Sequence, residues 1–196
     1  MTDTNTQTVV LCGVGGQGTI LAADLLAKCA LQSGYCAKVS EIHGMSQRGG
    51  AVNTVVRFGQ AGVASMVASK GCANSVVAFE KTEALRNLPY VAPGGKLFVA
   101  DESIKPLPVL LGKQKMLSNI DEQLKDVGAV VVPARALAQS VATAKSMNVV
   151  LLGALATQFD FSCAAWEEVI TKRVPQKTVD ANIAAFHAGF NFVKGA

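Results

Sequence analysis

The sequence predicts an α/β fold, three layers deep, in which helices cover both faces of a mostly parallel sheet. Three observations carry this. A β-branched run, Thr8–Cys12, stops at a glycine-rich turn, Gly13-Val-Gly-Gly-Gln-Gly18, and the turn opens a helical stretch. Short apolar runs then alternate with segments of helical period as far as Val132. Beyond it every periodic segment is helical, which makes a helical C-terminal third. The sheet is therefore Rossmann-like, with one hairpin where the alternation is broken.

The elements follow in order. Thr8–Cys12 reads as a buried parallel strand. Thr19–Ser33 carries Ile20, Ala23, Leu26, Ala27 and Ala30 at helical spacing, and Gly34 stands where a C-terminal glycine is expected. Ala37–Ile42 is the second strand, so Thr8–Ile42 makes a βαβ unit. Ala51–Phe58 alternates as a strand, Gly59–Gly62 is a turn, and Val63–Val67 is the returning arm of the hairpin. Ser75–Phe79 is another strand, Glu80–Leu88 a short helix, and Pro93-Gly94-Gly95 a turn into the strand Lys96–Ala100. Ile104–Ser118 takes no assignment. Asp121–Asp126 is a short helix and Ala129–Val132 a short strand. Ala134–Lys145, Val149–Phe159, Ala164–Lys172 and Val179–Val193 are helices, with Ser162 as N-cap of the third.

Composition narrows the function. A chain of 196 residues, half of them hydrophobic and 16% charged, can bury a core without disulfides, and residues 1–196 read as one domain. The net charge of +4 is scattered and contains no basic run, so neither nucleic acid nor an anionic membrane is an expected partner. The five cysteines make no C-x-x-C pair and no metal spacing, and they read as reduced, mostly buried thiols of a cytoplasmic protein. Met1–Thr8 is polar, unlike a signal peptide, and no apolar run is long enough to span a bilayer.

Two segments carry chemistry. Gly13-x-Gly15-x-x-Gly18 matches the dinucleotide-binding pattern and stands between a strand and a helix, as that pattern requires. Glycines let the backbone approach a ligand closely, and the unsatisfied N–H groups of a helix start favour an anion. Glu41, 23 residues after Gly18, sits where a ribose-binding acid belongs. Against a nicotinamide nucleotide stands the absence of a crossover helix after Glu41. Three readings remain open at this point: a nucleotide site, a site for another anion or a partner surface, and glycines that serve helix–strand packing alone. The second segment is His43-Gly-Met-Ser-Gln-Arg-Gly-Gly50. It follows the carboxyl end of a strand, as the glycine turn does, so both belong to the edge of the sheet where α/β proteins bind ligands. Arg48 can hold a carboxylate or phosphate, and His43 can donate or titrate. The alternatives are an ordinary ion pair for Arg48 and a structural hydrogen bond for His43. No nucleophile–base pair is evident, and no catalytic residue is assigned.

With these two loops the chain resembles the gamma-type subunits of the 2-oxoacid:ferredoxin oxidoreductases. The resemblance runs through GVGGQG, VSEIHGMSQRGGAVNTVVRFG, VVAFEKTEALRNLPYVAPGGKLFV, NVVLLGALA and VPQKTVDANIAAF, nearly the whole chain in the expected order. The chain length and the HGM-x-QRGG form are most similar to the beta subunits of the indolepyruvate:ferredoxin branch. The resemblance implies a subunit, inactive alone, of an enzyme that decarboxylates a 2-oxoacid oxidatively, passes electrons to ferredoxin and leaves the acyl group on coenzyme A. It implies a larger partner subunit that carries thiamine diphosphate and iron–sulfur clusters, with no tightly bound cofactor or metal in this chain. It also implies a contact to coenzyme A or to the partner from Gly13, Gly15, Gly16, Gln17, Gly18, His43, Met45, Gln47, Arg48, Gly49 and Gly50. Asp101-Glu102 stand where the family often has an Asn-Thr pair.

Overall fold

A computed structural model describes residues 6–43 and 50–195. Its strands are β1 (Gln7–Val14), β2 (Cys36–His43), β3 (Ala51–Gly59), β4 (Ala73–Ala78), β5 (Val91–Ala100) and β6 (Val130–Val132). They form one sheet in the order β2-β3-β1-β4-β5-β6. β1, β4, β5 and β6 pair in parallel, and β3 runs antiparallel to both of its neighbours, β1 and β2. The helices are α1 (Thr19–Gln32), α2 (Lys81–Asn87), α3 (Leu107–Leu110), α4 (Ile120–Asp126), α5 (Ala134–Val141), α6 (Met147–Ala156), α7 (Cys163–Arg173) and α8 (Val179–Lys194).

Alternate residues of the buried strands feed two cores. Val9, Leu11, Val56, Phe58, Val77 and Phe98 face one side, where they meet α1 and α5–α8. Val10, Cys12, Val55, Val76, Leu97 and Val99 face the other, where Ala84 of α2 and Leu124 of α4 close the layer. The three-layer α/β/α architecture with a mostly parallel sheet is thus present. In α1, small residues (Ala22, Ala23, Ala27, Ala30) lie buried on the sheet, and Gly34, at φ 86, ends the helix in the left-handed region. Ser162 caps α7, its hydroxyl accepting from the Ala165 N–H.

The hairpin differs from expectation. Val63–Val67 forms no strand. β3 already has β1 on one edge and β2 on the other, so no edge is left for a returning arm. The hairpin is instead β2–β3, in the register Ala37↔Phe58 and His43↔Val52. The segment around residues 63–68 buries Val63 and Ala68, and Arg57 donates to the Ser65 carbonyl (2.9 Å) and to the Thr8 hydroxyl (3.1 Å). β1, α1 and β2 form a βαβ unit, but β3 is inserted between its two strands. The Pro93-Gly94-Gly95 turn lies inside β5, whose pairing with β4 jumps from Ala73↔Val91 to Ser75↔Lys96. The helix expected over Ala134–Lys145 stops at Val141, because Thr143 takes an extended conformation and its hydroxyl accepts the Lys145 N–H to start a short 3₁₀ turn.

One close approach sets the helical layer. α6 is buried along its whole length and crosses α8 at Gly153 and Gly189. A Cβ on Gly153 would stand 2.0 Å from the Phe186 carbonyl oxygen, and one on Gly189 would stand 1.9 Å from that of Val150. Only glycine permits this backbone contact.

Candidate functional site

The glycine turn and the second loop leave the same edge of the sheet. β1 and β2 point the same way, and β3 returns between them, so the end of β1 lies beside the start of β3 at Val14↔Ala51. Among the described residues one bond joins the two segments directly: the Gly15 N–H donates to the Gly50 carbonyl at 3.0 Å. Met45, Gln47, Arg48 and Gly49 lie outside the described residues, and His43 closes β2 through its backbone.

Each glycine of the turn has its own reason. A Cβ on Gly13 would collide with the Gln17 side-chain oxygen (2.6 Å) and with Phe79 (2.9 Å). Gly16 takes φ 97, and among the described residues none occupies the place of a side chain there. Gly18, at φ 83, is the N-cap residue of α1, and Asn148 of α6 fills the place of its missing side chain, with Nδ2 2.6 Å from the Cβ position. Gln17 is built into the turn. Its Oε1 accepts the Val14 N–H (2.7 Å), and its Nε2 donates to the Phe79 carbonyl (2.9 Å), which ties the ends of β1 and β4 together. Among the described residues no side chain caps the N-terminus of α1, and its first turn holds no acidic residue. That terminus therefore presents a positive dipole end, suited to an anion.

The neighbouring strand ends are held by ion pairs. Lys81 lies between Asp101 (2.6 Å) and Asp121 (2.8 Å), and Asp101 first, then Asp121, raise its pKa. Arg135 grips Glu102 with two hydrogen bonds of 2.6 and 2.7 Å. The Asp101-Glu102 pair, where the chain departs from the family pattern, is thus engaged within the fold. A cavity of about 420 Å³ opens beside Lys81, lined also by Ser103, Leu117, Asn119 and Asp121.

Behind these groups, the buried carboxylates Glu80 and Glu83 begin α2. Glu80 caps the helix by accepting the Glu83 N–H. Glu83 holds Arg86 (2.6 Å) with one oxygen, and its other oxygen has no partner. Burial raises its pKa against the pull of Arg86, and the charge of Glu80 adds to the rise. Cys12, beside them, is pushed well above the usual thiol value by burial, then by Glu83 and Glu80. Burial takes Cys29 to about 12. These two thiols are inert core groups. Cys36 is exposed, and Cys72 and Cys163 are partly so. His187 bonds Glu167 at 2.7 Å between α8 and α7, away from the strand ends.

Among the described residues no cluster of His, Cys, Asp and Glu is placed to hold a metal ion, and no helix is long and apolar enough to cross a membrane. Sequence reasoning missed Asn148, Lys81 and Arg135. Asn148 had a visible signal, as the one amide in the apolar run MNVVLLGALA. The two cations had none, because their partners come from distant segments.

Residues 8–192 match the profile of the Pyruvate ferredoxin/flavodoxin oxidoreductase family. The chain belongs to this family. It is 40% identical over 194 residues to the indolepyruvate oxidoreductase subunit IorB of Thermococcus kodakarensis, with 95% of each chain covered. It is 30% identical over 190 residues to the subunit of the same name from Methanothermobacter thermautotrophicus, covering 93% of this chain and 95% of that one. The fold is that of the keto/oxoacid ferredoxin oxidoreductase gamma subunit of Geobacter sulfurreducens (TM-score 0.72, 24% identity, 97% and 99% of the two chains covered). It also matches 2-oxoglutarate:ferredoxin oxidoreductase from Magnetococcus marinus, a structure with 2-oxoglutarate, coenzyme A and succinyl-CoA bound (TM-score 0.75, 18% identity). That match covers 99% of this chain and 32% of that one. This family member is accordingly a subunit of a 2-oxoacid:ferredoxin oxidoreductase. The sheet order also argues against a nicotinamide nucleotide. β3 lies between β1 and β2 and carries Glu41 one strand spacing, about 4.8 Å, farther from the glycine turn than the dinucleotide pattern assumes.

Proposed function

We propose that residues 1–196 form one gamma-type domain whose glycine turn and His43–Gly50 loop make one wall of the coenzyme A pocket in the assembled enzyme. The observation that carries this is the Gly15 N–H to Gly50 carbonyl bond, 3.0 Å long. It joins the turn that opens a dipole-positive helix start to Gly50, which follows Arg48 by two residues in the sequence. Both suit the phosphates of coenzyme A. The site comprises backbone from Gly13, Gly15, Gly16, Gly18, Gly49 and Gly50, with His43, Met45, Gln47 and Arg48 contributing from the loop. Gln17 acts by holding the turn.

The reaction is the oxidative decarboxylation of a 2-oxoacid. The carbon–carbon bond to the carboxylate breaks and carbon dioxide leaves; the coenzyme A thiol gives up its proton as its sulfur bonds the acyl carbon, and the electron pair left by decarboxylation passes one electron at a time to ferredoxin. Thiamine diphosphate, held by the larger partner subunit, would supply the electron sink for decarboxylation, and iron–sulfur clusters there would supply the electron relay. This chain alone is inactive. The names of its curated relatives favour indolepyruvate or another aryl pyruvate as substrate.

The test uses the complex of this chain with its partner. Arg48→Ala is expected to raise KM for coenzyme A by about tenfold or more, as loss of a charged contact to phosphate should. KM for the 2-oxoacid should stay unchanged and the complex intact on gel filtration. An unchanged KM for coenzyme A would overturn the reading, and dissociation of the complex would replace it with a subunit contact.

A further inference from the structure

Asn148 is out of place by the logic of packing. It sits in the first turn of α6, where all ten residues are buried and the other nine are apolar or glycine. A buried amide is costly unless it has a task to match. Its neighbour is the glycine turn, 130 residues away in sequence. Nδ2 faces the Gly18 carbonyl at 3.4 Å and fills the space of the missing Gly18 side chain. Gln17 holds the other flank of the turn through Val14 and Phe79. The turn is therefore clamped at residues 17 and 18 by two amides, and it is open at Gly16, where none of the described residues lies within 4 Å of a would-be Cβ.

We propose that Asn148 is a positioning residue. Acting through Gly18, it holds the first N–H groups of α1 in the orientation that meets the phosphates of coenzyme A. The proposal rests on the reading above, since it assigns the turn the same ligand. Asn148 itself touches no ligand. A neutral amide suits the task, because a carboxylate there would oppose an anion at the helix start.

Steady-state kinetics of the complex test it, with Asn148→Ala, Asn148→Asp and Gly16→Ala compared with the parent. Asn148→Ala should raise KM for coenzyme A by between about 10- and 100-fold, with kcat and the 2-oxoacid KM within about twofold. Asn148→Asp keeps the volume of the side chain and should raise KM for coenzyme A at least as much, so it gives the same answer if the alanine variant does not assemble. A packing role alone predicts a lower melting temperature for Asn148→Ala with KM for coenzyme A unchanged, and that result overturns the proposal. Gly16→Ala and Arg48→Ala keep the two readings apart. If they shift KM and the Asn148 variants do not, the positioning role fails alone. If neither they nor the Asn148 variants shift it, the coenzyme A reading fails as well.

Discussion

Replacing Gly153 by alanine tests the contact that sets the helical layer. The new Cβ would stand 2.0 Å from the Phe186 carbonyl oxygen, 2.9 Å from its carbonyl carbon and 3.0 Å from the Phe190 nitrogen. Ordinary contact begins near 3.4 Å, so α6 and α8 must part by about 3.4 − 2.0 = 1.4 Å. Both sides of the contact are helix backbone, so no side chain can swing away. Overpacking of a tight core costs about 3 kcal/mol at the upper end of its usual range. Alanine returns about 1 kcal/mol through its better helix propensity. The net loss is about 2 kcal/mol. For a chain of this size each kcal/mol is worth about 2–4 °C, so the melting temperature should fall by about 4–8 °C. Thermal unfolding of the purified protein followed by far-UV circular dichroism measures it. Gly189→Ala should do the same, and the double variant should lose much less than the sum, because helices already parted accommodate the second methyl. A Gly153→Ala protein that melts within about 1 °C of the parent, or strict additivity of the pair, would refute the close-contact argument.

Two further outcomes follow from the site and its surroundings. The folded protein holds the Glu83 proton to higher pH than the unfolded chain does, so native protein binds more protons between the ordinary value of about 4.3 and the raised one. Stability from this group falls as pH rises through that window. Glu83→Gln should therefore gain melting temperature relative to the parent as pH goes from about 4 to 7, and a difference independent of pH would refute the assignment. Ser162→Ala removes the cap of α7 and should cost about 1 kcal/mol, read as a lower midpoint in urea with an unchanged slope; an unchanged midpoint would show that the cap contributes nothing.

Local chemistry made much of the molecule legible. The buried runs at Thr8–Cys12 and Ser75–Phe79, the helix that follows the glycine turn, the glycine at its end and the Ser162 cap are decided by groups within a few residues of one another. The shared edge of the two loops followed from strand direction alone. Family membership was legible as well, because the motifs that carry it lie in continuous segments.

Tertiary structure decided what depends on distant segments. Nothing near Ala51–Gly59 says that its strand inserts between β1 and β2, because edge pairing is settled by which strands compete for it. Lys81 and Arg135 read as surface cations until strands from other parts of the chain bring Asp101, Asp121 and Glu102 against them. Gly153 reads as a weak point in an apolar helix until α8 arrives close enough to need it. Gly18 reads as half of a nucleotide motif until Asn148 occupies the place of its side chain. In each case the residue type was visible from the start, and the partner that gives it meaning came only with the fold.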